Sequence, residues 1–181
     1  MVERLIKRIA QRLDKEKIPY MIIGGQAVLI YGRARMTRDI DITLGVDCDK
    51  LAIVERVCKK LKLTMLPDKP VDFVKETRVL PAEEKNSRIR VDFIFSFTPY
   101  ELRALERIKE ISVCGYPVKF ASCEDVIVHK MIAGRAVDLE DVKSILLKNK
   151  DIDVKYIKKQ LIEFKKMDEY RGVLKKFSGL M

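Results

Sequence analysis

The chain reads Ile18-Pro-Tyr-Met-Ile-Ile-Gly-Gly-Gln-Ala-Val-Leu-Ile-Tyr31 and, after a short polar connection, Asp39-Ile-Asp-Ile-Thr-Leu44. The apolar run before Gly24 predicts a β-strand, and the residues from Gln26 onward predict a short helix. Two glycines between a strand and a helix N-terminus allow backbone N–H groups to approach a phosphate. The segment therefore predicts an α/β fold with a phosphate-binding turn.

Asp39 and Asp41 form the second half of this pattern. Side chains alternate along a strand, so both carboxylates project from one face about 7 Å apart. Two like charges beside an apolar core repel each other, and a divalent cation such as Mg²⁺, which prefers oxygen ligands, removes that objection. The alternative is that the two carboxylates end the strand and pair with Arg35 and Arg38.

Asp92 is the candidate third carboxylate. It stands alone in Ile89-Arg-Val-Asp-Phe-Ile-Phe95, the most strand-like run of the chain, where an unpaired charge is costly. A third carboxylate would complete a two-metal site, in which ions roughly 4 Å apart stabilise both oxygens of a phosphoryl transfer. The alternative is that Asp92 is an ion-pair partner of Arg88 or Arg90.

The spacing Gly24-Gly25-x13-Asp39-x-Asp41 resembles the signature of the DNA polymerase β-type nucleotidyltransferase superfamily. The longer string up to Asp41 is similar to AbiE-type (AbiEii-like) minimal nucleotidyltransferases. A second stretch agrees with this resemblance: Asp125-Val-Ile-Val-His-Lys130, Ala133-Gly-Arg135 and Asp138-Leu-Glu-Asp141. The resemblance implies a mixed β-sheet flanked by helices, with a C-terminal helical extension.

The resemblance also implies roles for individual residues. Gly24, Gly25 and Gln26 would bind the nucleotide phosphates, and Asp39, Asp41 and Asp92 would be catalytic and hold Mg²⁺ or Mn²⁺. Lys130 and Arg135 would neutralise triphosphate charge, or would form a solvated basic face. Asp138 and Asp141 would support them, one by orienting Lys130 or Arg135.

Two features of this motif leave alternatives open. The superfamily often has Ser where this chain has Gly25, so a phosphate-binding hydroxyl is missing and the backbone N–H groups or Gln26 must compensate. The loop arginines Arg33, Arg35 and Arg38 would grip the triphosphate or the acceptor, or would equally be counter-charges for Asp39 and Asp41.

Composition limits the class of protein. The 181 residues carry a formal net charge of +10, which favours an anionic partner. The longest apolar runs fall far short of the roughly 20 residues that span a bilayer. The N-terminal segment has no apolar signal-peptide region. These features predict a cytoplasmic protein without membrane contact, and the scattered cysteines argue against zinc.

The order of elements predicts a catalytic sheet region over residues 1–121 and a helical region over 122–181, packed as one compact unit. The proline-containing segment from Thr64 to Ser87 is expected to be irregular, with one helical turn around Val71 to Glu76.

The predicted function is transfer of NMP from an NTP to an acceptor hydroxyl of RNA, protein or a small molecule, with release of pyrophosphate. AbiE-type relatives imply a toxin–antitoxin role with a cognate antitoxin. The alternatives are an inactive nucleotide- or RNA-binding module of the same fold, and an adaptor that binds nucleic acid through its +10 charge alone.

Overall fold

The computed structural model describes residues 1–37, 39–96, 98–165, 170 and 172–181. Within them, the strands are β1 Tyr20–Ile22, β2 Ile40–Leu44, β3 Leu63–Met65, β4 Val79–Glu84, β5 Ile89–Phe95, β6 Lys109–Val113 and β7 Tyr116–Phe120. The α-helices are α1 Val2–Lys15, α2 Gly24–Tyr31, α3 Leu51–Leu61, α4 Pro70–Thr77, α5 Pro99–Leu105, α6 Cys123–Ala133, α7 Ala136–Lys148, α8 Val154–Lys165 and α9 Val173–Ser178. The predicted mixed α/β class is confirmed.

The described strands form a seven-stranded mixed sheet in the order β3-β4-β5-β2-β1-β7-β6. β2 lies parallel to β5 and antiparallel to β1, and β1 in turn lies parallel to β7. The two strands that carry the candidate carboxylates are therefore neighbours at the centre of the sheet, and Asp41 and Asp92, which are far apart in the sequence, lie side by side.

One face of the central strands is core and the other carries the polar candidates. In β5, Ile89, Val91, Phe93 and Phe95 are buried, whereas the alternate residues are exposed or half-buried. β2 shows the same pattern at its start, with Ile40 and Ile42 buried and Asp41 half-buried, whereas Thr43 and Leu44 are both buried. This period-2 alternation is what places carboxylates on a strand without placing them in the core.

The helices pack around the sheet in two groups. α1 contacts α3, β6 and β7, and its buried residues are Leu5, Ile6, Ile9, Ala10 and Leu13. α2 contacts β2, α6 and α7, so it joins the strands to the C-terminal helices. The helix that begins at the glycine turn therefore packs against both β2 and the helices that follow the sheet.

The helical turn predicted around Val71 to Glu76 is confirmed by α4, but the prediction that the rest of the segment from Thr64 to Ser87 is irregular was wrong. The segment contains α4, most of β3 and all of β4. β4 pairs with β5 so that Pro81 lies opposite Asp92, and the Pro81 carbonyl accepts a hydrogen bond from Leu66 N–H at 2.9 Å. Proline cannot donate to a ladder and is rare inside a sheet, which is why its presence argued against a strand.

α6, the first of the C-terminal helices, has a defined cap at each end. Ser122 caps α6, because its hydroxyl accepts from Asp125 N–H, and Gly134 ends the helix at a φ of 64°. Helices follow the sheet from Cys123 onward, and the division at residue 121 stays a prediction. No helix of the described residues is both long enough and apolar enough to cross a membrane.

The fully buried Phe93 provides a test of the core. We expect Phe93→Ala to lower the free energy of unfolding by about 3–5 kcal/mol, because the substitution removes transfer energy and leaves a cavity in the central strand. Leu147→Ala is the control, since Leu147 is 85% exposed and its loss should change stability by less than about 0.5 kcal/mol. Urea unfolding followed by circular dichroism measures both, and equal effects would contradict the assigned core.

Candidate active site

Asp41 and Asp92 lie directly opposite each other on the parallel strands β2 and β5. Burial of the Asp41 carboxyl raises its pKa, and the nearby charges of Asp92 and Asp39 raise that pKa further. Lys130 and Arg135 act in the opposite direction and lower it. The arrangement concentrates negative charge at one point of the sheet, with two cations from the C-terminal helices close to it.

The N-terminus of α2 is pressed against this carboxylate. Gly24 has a φ of 62°, and a Cβ atom at this position would overlap Oδ2 of Asp41. Ile23 N–H donates to the Asp41 carbonyl at 2.9 Å, which holds the end of β1 beside β2. The N–H groups of Gly24, Gly25 and Gln26 donate to no acceptor within the described residues, so they are open to an anion.

Asp92 has a protein partner, as one of the sequence alternatives predicts. Its Oδ1 accepts a hydrogen bond from Arg90 Nε at 2.8 Å, and this hydrogen bond raises the Arg90 pKa. The Arg90 side chain is half exposed, so this ion pair is a weak one. Within the described residues, no three carboxylate, imidazole or thiol side chains converge closely enough to hold a metal ion.

Arg35, one of the two predicted partners of Asp39 and Asp41, pairs with a different carboxylate. Arg35 forms a two-pronged ion pair with Asp141, with Nε to Oδ1 and Nη2 to Oδ2 both at 3.0 Å, so it is not a counter-charge for the strand carboxylates. Arg38 lies outside the described residues. The Gln26 side chain, expected at the phosphates, donates to the Asp39 carbonyl at 3.3 Å and ties α2 to the start of β2.

Lys130 is buried and is not part of a solvated basic face. Its Nζ lies 2.7 Å from Oδ1 of Asp138 and 3.0 Å from Oδ2 of Asp141, and both carboxylates are fully buried. Arg135 also pairs with Asp138 at 2.7 Å, while most of its side chain stays in solvent. Burial raises the Asp138 pKa, but hydrogen bonds from Arg135 and Lys130 outweigh burial and lower that pKa overall. Asp138 and Asp141 thus orient the basic residues, as the sequence predicts for at least one of them.

Sequence reasoning missed two contributions to this site. Arg35 reaches Asp141 across 106 residues of chain, and no local pattern indicates such a pair. Thr37 lies over Gly25, where its side chain fills the space that a Cβ at residue 25 would take. The only sequence signal was the hydroxyl missing at position 25 together with a hydroxyl residue shortly before Asp39.

The sequence also matches a known family. Residues 1–175 match the family described as "Nucleotidyltransferase of unknown function (DUF6036)". The chain belongs to this nucleotidyltransferase family. The resemblance to the superfamily is therefore confirmed, while the AbiE-type subfamily stays a prediction. No curated protein matches the chain in a sequence search.

Solved structures show where else this fold occurs. The antibiotic-resistance factor ANT(2'')-Ia is similar at a TM-score of 0.66 and 16% identity, over 93% of this nucleotidyltransferase and 95% of that chain. An antigenic nucleotidyltransferase-like protein from Paracoccidioides brasiliensis gives 0.60 and 17%, over 97% and 92% of the two chains. The lincosamide antibiotic adenylyltransferase LnuA gives 0.54 and 16%, over 78% and 94%. At these identities the likeness shows the fold alone.

The contact between Gly24 and Asp41 can be tested with a matched glycine. Gly24→Ala and Gly115→Ala both place a side chain at a positive φ, which costs about 1–2 kcal/mol. A Cβ at residue 115 meets nothing within 4 Å, whereas one at residue 24 overlaps the Asp41 carboxylate. We therefore expect Gly24→Ala to cost about 1–3 kcal/mol more in urea unfolding. Equal losses would show that the carboxylate does not pack against Gly24.

The buried ion pairs of Lys130 generate a second stability prediction. Lys130→Met should lower the free energy of unfolding by about 3 kcal/mol or more, because it takes a cation from two fully buried carboxylates. Lys143→Met is the control, since Lys143 pairs with Glu140 on the surface and its loss should cost about 1 kcal/mol or less. Thermal unfolding at neutral pH compares the two, and similar losses would mean that Lys130 is solvated.

Proposed function

We propose that this protein is a metal-dependent nucleotidyltransferase that moves NMP from an NTP to an acceptor hydroxyl and releases pyrophosphate. The observation that carries the proposal is the in-register pair Asp41 and Asp92, set against the open N–H groups at the start of α2. One half of this site suits a divalent cation and the other suits phosphates. Membership of a nucleotidyltransferase family supports the same reaction class.

The residues fit a divalent cation by their chemistry. Burial raises the pKa of Asp41, and the charges of Asp92 and Asp39 raise it further, so a cation bound beside this carboxyl would favour its ionised form. Asp39, Asp41 and Asp92 would hold Mg²⁺ or Mn²⁺, which needs only one or two carboxylates beside substrate phosphates. A bound cation would supply charge stabilisation to the phosphates during transfer.

The protein's own groups would bind and orient the substrates. The N–H groups of Gly24, Gly25 and Gln26 would donate to phosphate oxygens, with the positive end of the α2 dipole behind them. Lys130 and Arg135, which already lower the Asp41 pKa through space, would add positive charge near the phosphates. Arg38 would contribute a further cation from the loop before β2.

Asp92 is the group that we assign to the acceptor. Its carboxylate would leave Arg90 and take the proton of the acceptor hydroxyl. The acceptor oxygen then forms a bond to the α-phosphorus while the bond to the leaving pyrophosphate breaks. Positioning and charge neutralisation supply most of the rate enhancement in such a reaction.

The acceptor is a hydroxyl of RNA, protein or a small molecule. Two proteins with this fold are described as an antibiotic-resistance factor and as an antibiotic adenylyltransferase. The proposed acceptors therefore include small molecules with hydroxyl groups. The resemblance to AbiE-type enzymes extends the proposal to a toxin that acts in the cytoplasm and is held by a cognate antitoxin. One observation favours an inactive nucleotide- or RNA-binding module instead, since Asp92 is engaged by Arg90.

Labelled nucleotide separates these functions. The purified protein is incubated with each α-³²P-NTP, with Mg²⁺ or with EDTA, together with total RNA, protein extract or a panel of hydroxyl compounds. We expect label to appear on one acceptor class only with metal, and to fall at least about a hundredfold in Asp41→Asn or Asp92→Asn. Asp49→Asn, which removes an exposed carboxylate that pairs with Lys50 outside the motif, is the matched control and should keep full activity.

Each alternative has its own outcome in this assay. NTP binding without label transfer to any acceptor would favour the binding module. RNA binding that weakens steeply with salt and survives Asp41→Asn would favour the adaptor. Absence of metal-dependent NTP binding in titration calorimetry would refute the proposed function.

A further inference from the structure

Position 25 is where this chain departs from the serine that is frequent in its superfamily, and the structure shows what takes the space. A Cβ atom at Gly25 would overlap the Thr37 hydroxyl and lie only 3.0 Å from Thr37 Cβ. The Thr37 side chain thus stands over the first turn of α2, where a side chain of residue 25 would otherwise stand. A hydroxyl is present at the turn, although it comes from the loop before β2.

The Thr37 hydroxyl has no hydrogen-bond partner within the part of the chain that the structure describes, and the Thr37 side chain is half-buried. It lies beside Gly25, whose N–H group, like those of Gly24 and Gln26, donates to no acceptor within the described residues. Arg35 Nη2 lies 3.3 Å from the same position above Gly25. The hydroxyl and the backbone N–H groups are all donors, so an anion with several acceptor oxygens matches the set.

The loop that carries Thr37 is fixed on both sides. Before it, Arg33 N–H donates to the Ser144 hydroxyl at 3.2 Å, and Arg35 makes its two-pronged pair with the fully buried Asp141. After it, the Asp39 carbonyl accepts from Gln26. The cost of ordering the loop is therefore met in the folded protein, which leaves the Thr37 hydroxyl in place before a ligand binds.

We propose that the Thr37 hydroxyl donates a hydrogen bond to a phosphate oxygen of the bound nucleotide, in place of a hydroxyl at residue 25, and that Arg35 is the positioning residue that holds the loop. The inference rests on the proposed function, because it assigns a further phosphate contact to the same site. Thr37 supplies the hydroxyl that residue 25 lacks, because the fold places the Thr37 side chain beside Gly25.

Inorganic tripolyphosphate is the probe for this contact, because it presents phosphate oxygens without a base or an acceptor. Isothermal titration in Mg²⁺ compares wild type with Thr37→Val, which keeps the shape and loses the hydroxyl. We expect the dissociation constant to rise about tenfold or more, as for loss of a hydrogen bond to a charged group. Thr64→Val is the matched control at an exposed strand position and should bind as wild type does.

Moving the hydroxyl back to residue 25 is the decisive step. Gly25→Ser alone should weaken binding, because its Cβ would overlap Thr37. The double variant Gly25→Ser/Thr37→Ala removes that overlap and restores a hydroxyl, so it should recover most of the affinity lost in Thr37→Val. Thr37→Ser, which retains the hydroxyl, should recover it as well. Circular dichroism and thermal unfolding confirm that each variant is folded.

The role of Arg35 is tested by coupling. Arg35→Lys keeps the charge and loses the two-pronged pair, so it should weaken binding in wild type by several-fold and have little further effect in Thr37→Val. Equal effects of Arg35→Lys in both backgrounds would overturn its positioning role.

Two results separate this inference from the proposed function. Labelling activity and tripolyphosphate affinity that are unchanged in folded Thr37→Val would overturn the Thr37 contact and leave the nucleotidyltransferase standing. Failure of wild type to bind either NTP or tripolyphosphate would overturn both.

Discussion

The close approach of Gly24 to the Asp41 carboxylate is the constraint on which the candidate site depends. Because Gly24 has no side chain, the N-terminus of α2 can lie directly against a carboxylate on the central strand. That contact places open N–H donors beside negative charge, so a phosphate can be bound where a cation is also attracted. The absence of a side chain at Gly24 is what brings the N–H donors and the Asp41 carboxylate together in one site.

The charges around this contact explain why the C-terminal helices belong to the site. Burial and the neighbouring carboxylates destabilise the ionised form of Asp41, and Lys130 and Arg135 partly offset them. These cations need partners of their own, which Asp138 and Asp141 supply from α7. Asp141 also holds Arg35, so one buried carboxylate connects the helices to the loop before β2. The ion pairs thus cross the predicted division at residue 121.

Elements with a strong local signal could be predicted from sequence, and those set by distant contacts could not. The strand β5 was readable because the periodicity of its residues is a local property. β4 was missed because Pro81 argued against a strand, while burial of Leu80 and Ala82 in the sheet outweighed that penalty. The pair between Arg35 and Asp141 was missed because its partners are far apart in the chain.

The hydroxyl at Thr37 shows how a motif can lose a residue and keep its chemistry. A serine at position 25 would carry its hydroxyl on α2 itself. Thr37 carries its hydroxyl on the loop before β2, so the position of this hydroxyl depends on how that loop is held. Arg35 and Gln26 hold it from either side through Asp141 and the Asp39 carbonyl. The donor set at the turn is therefore assembled by tertiary contacts, and a motif search that examines position 25 alone would read this site as incomplete.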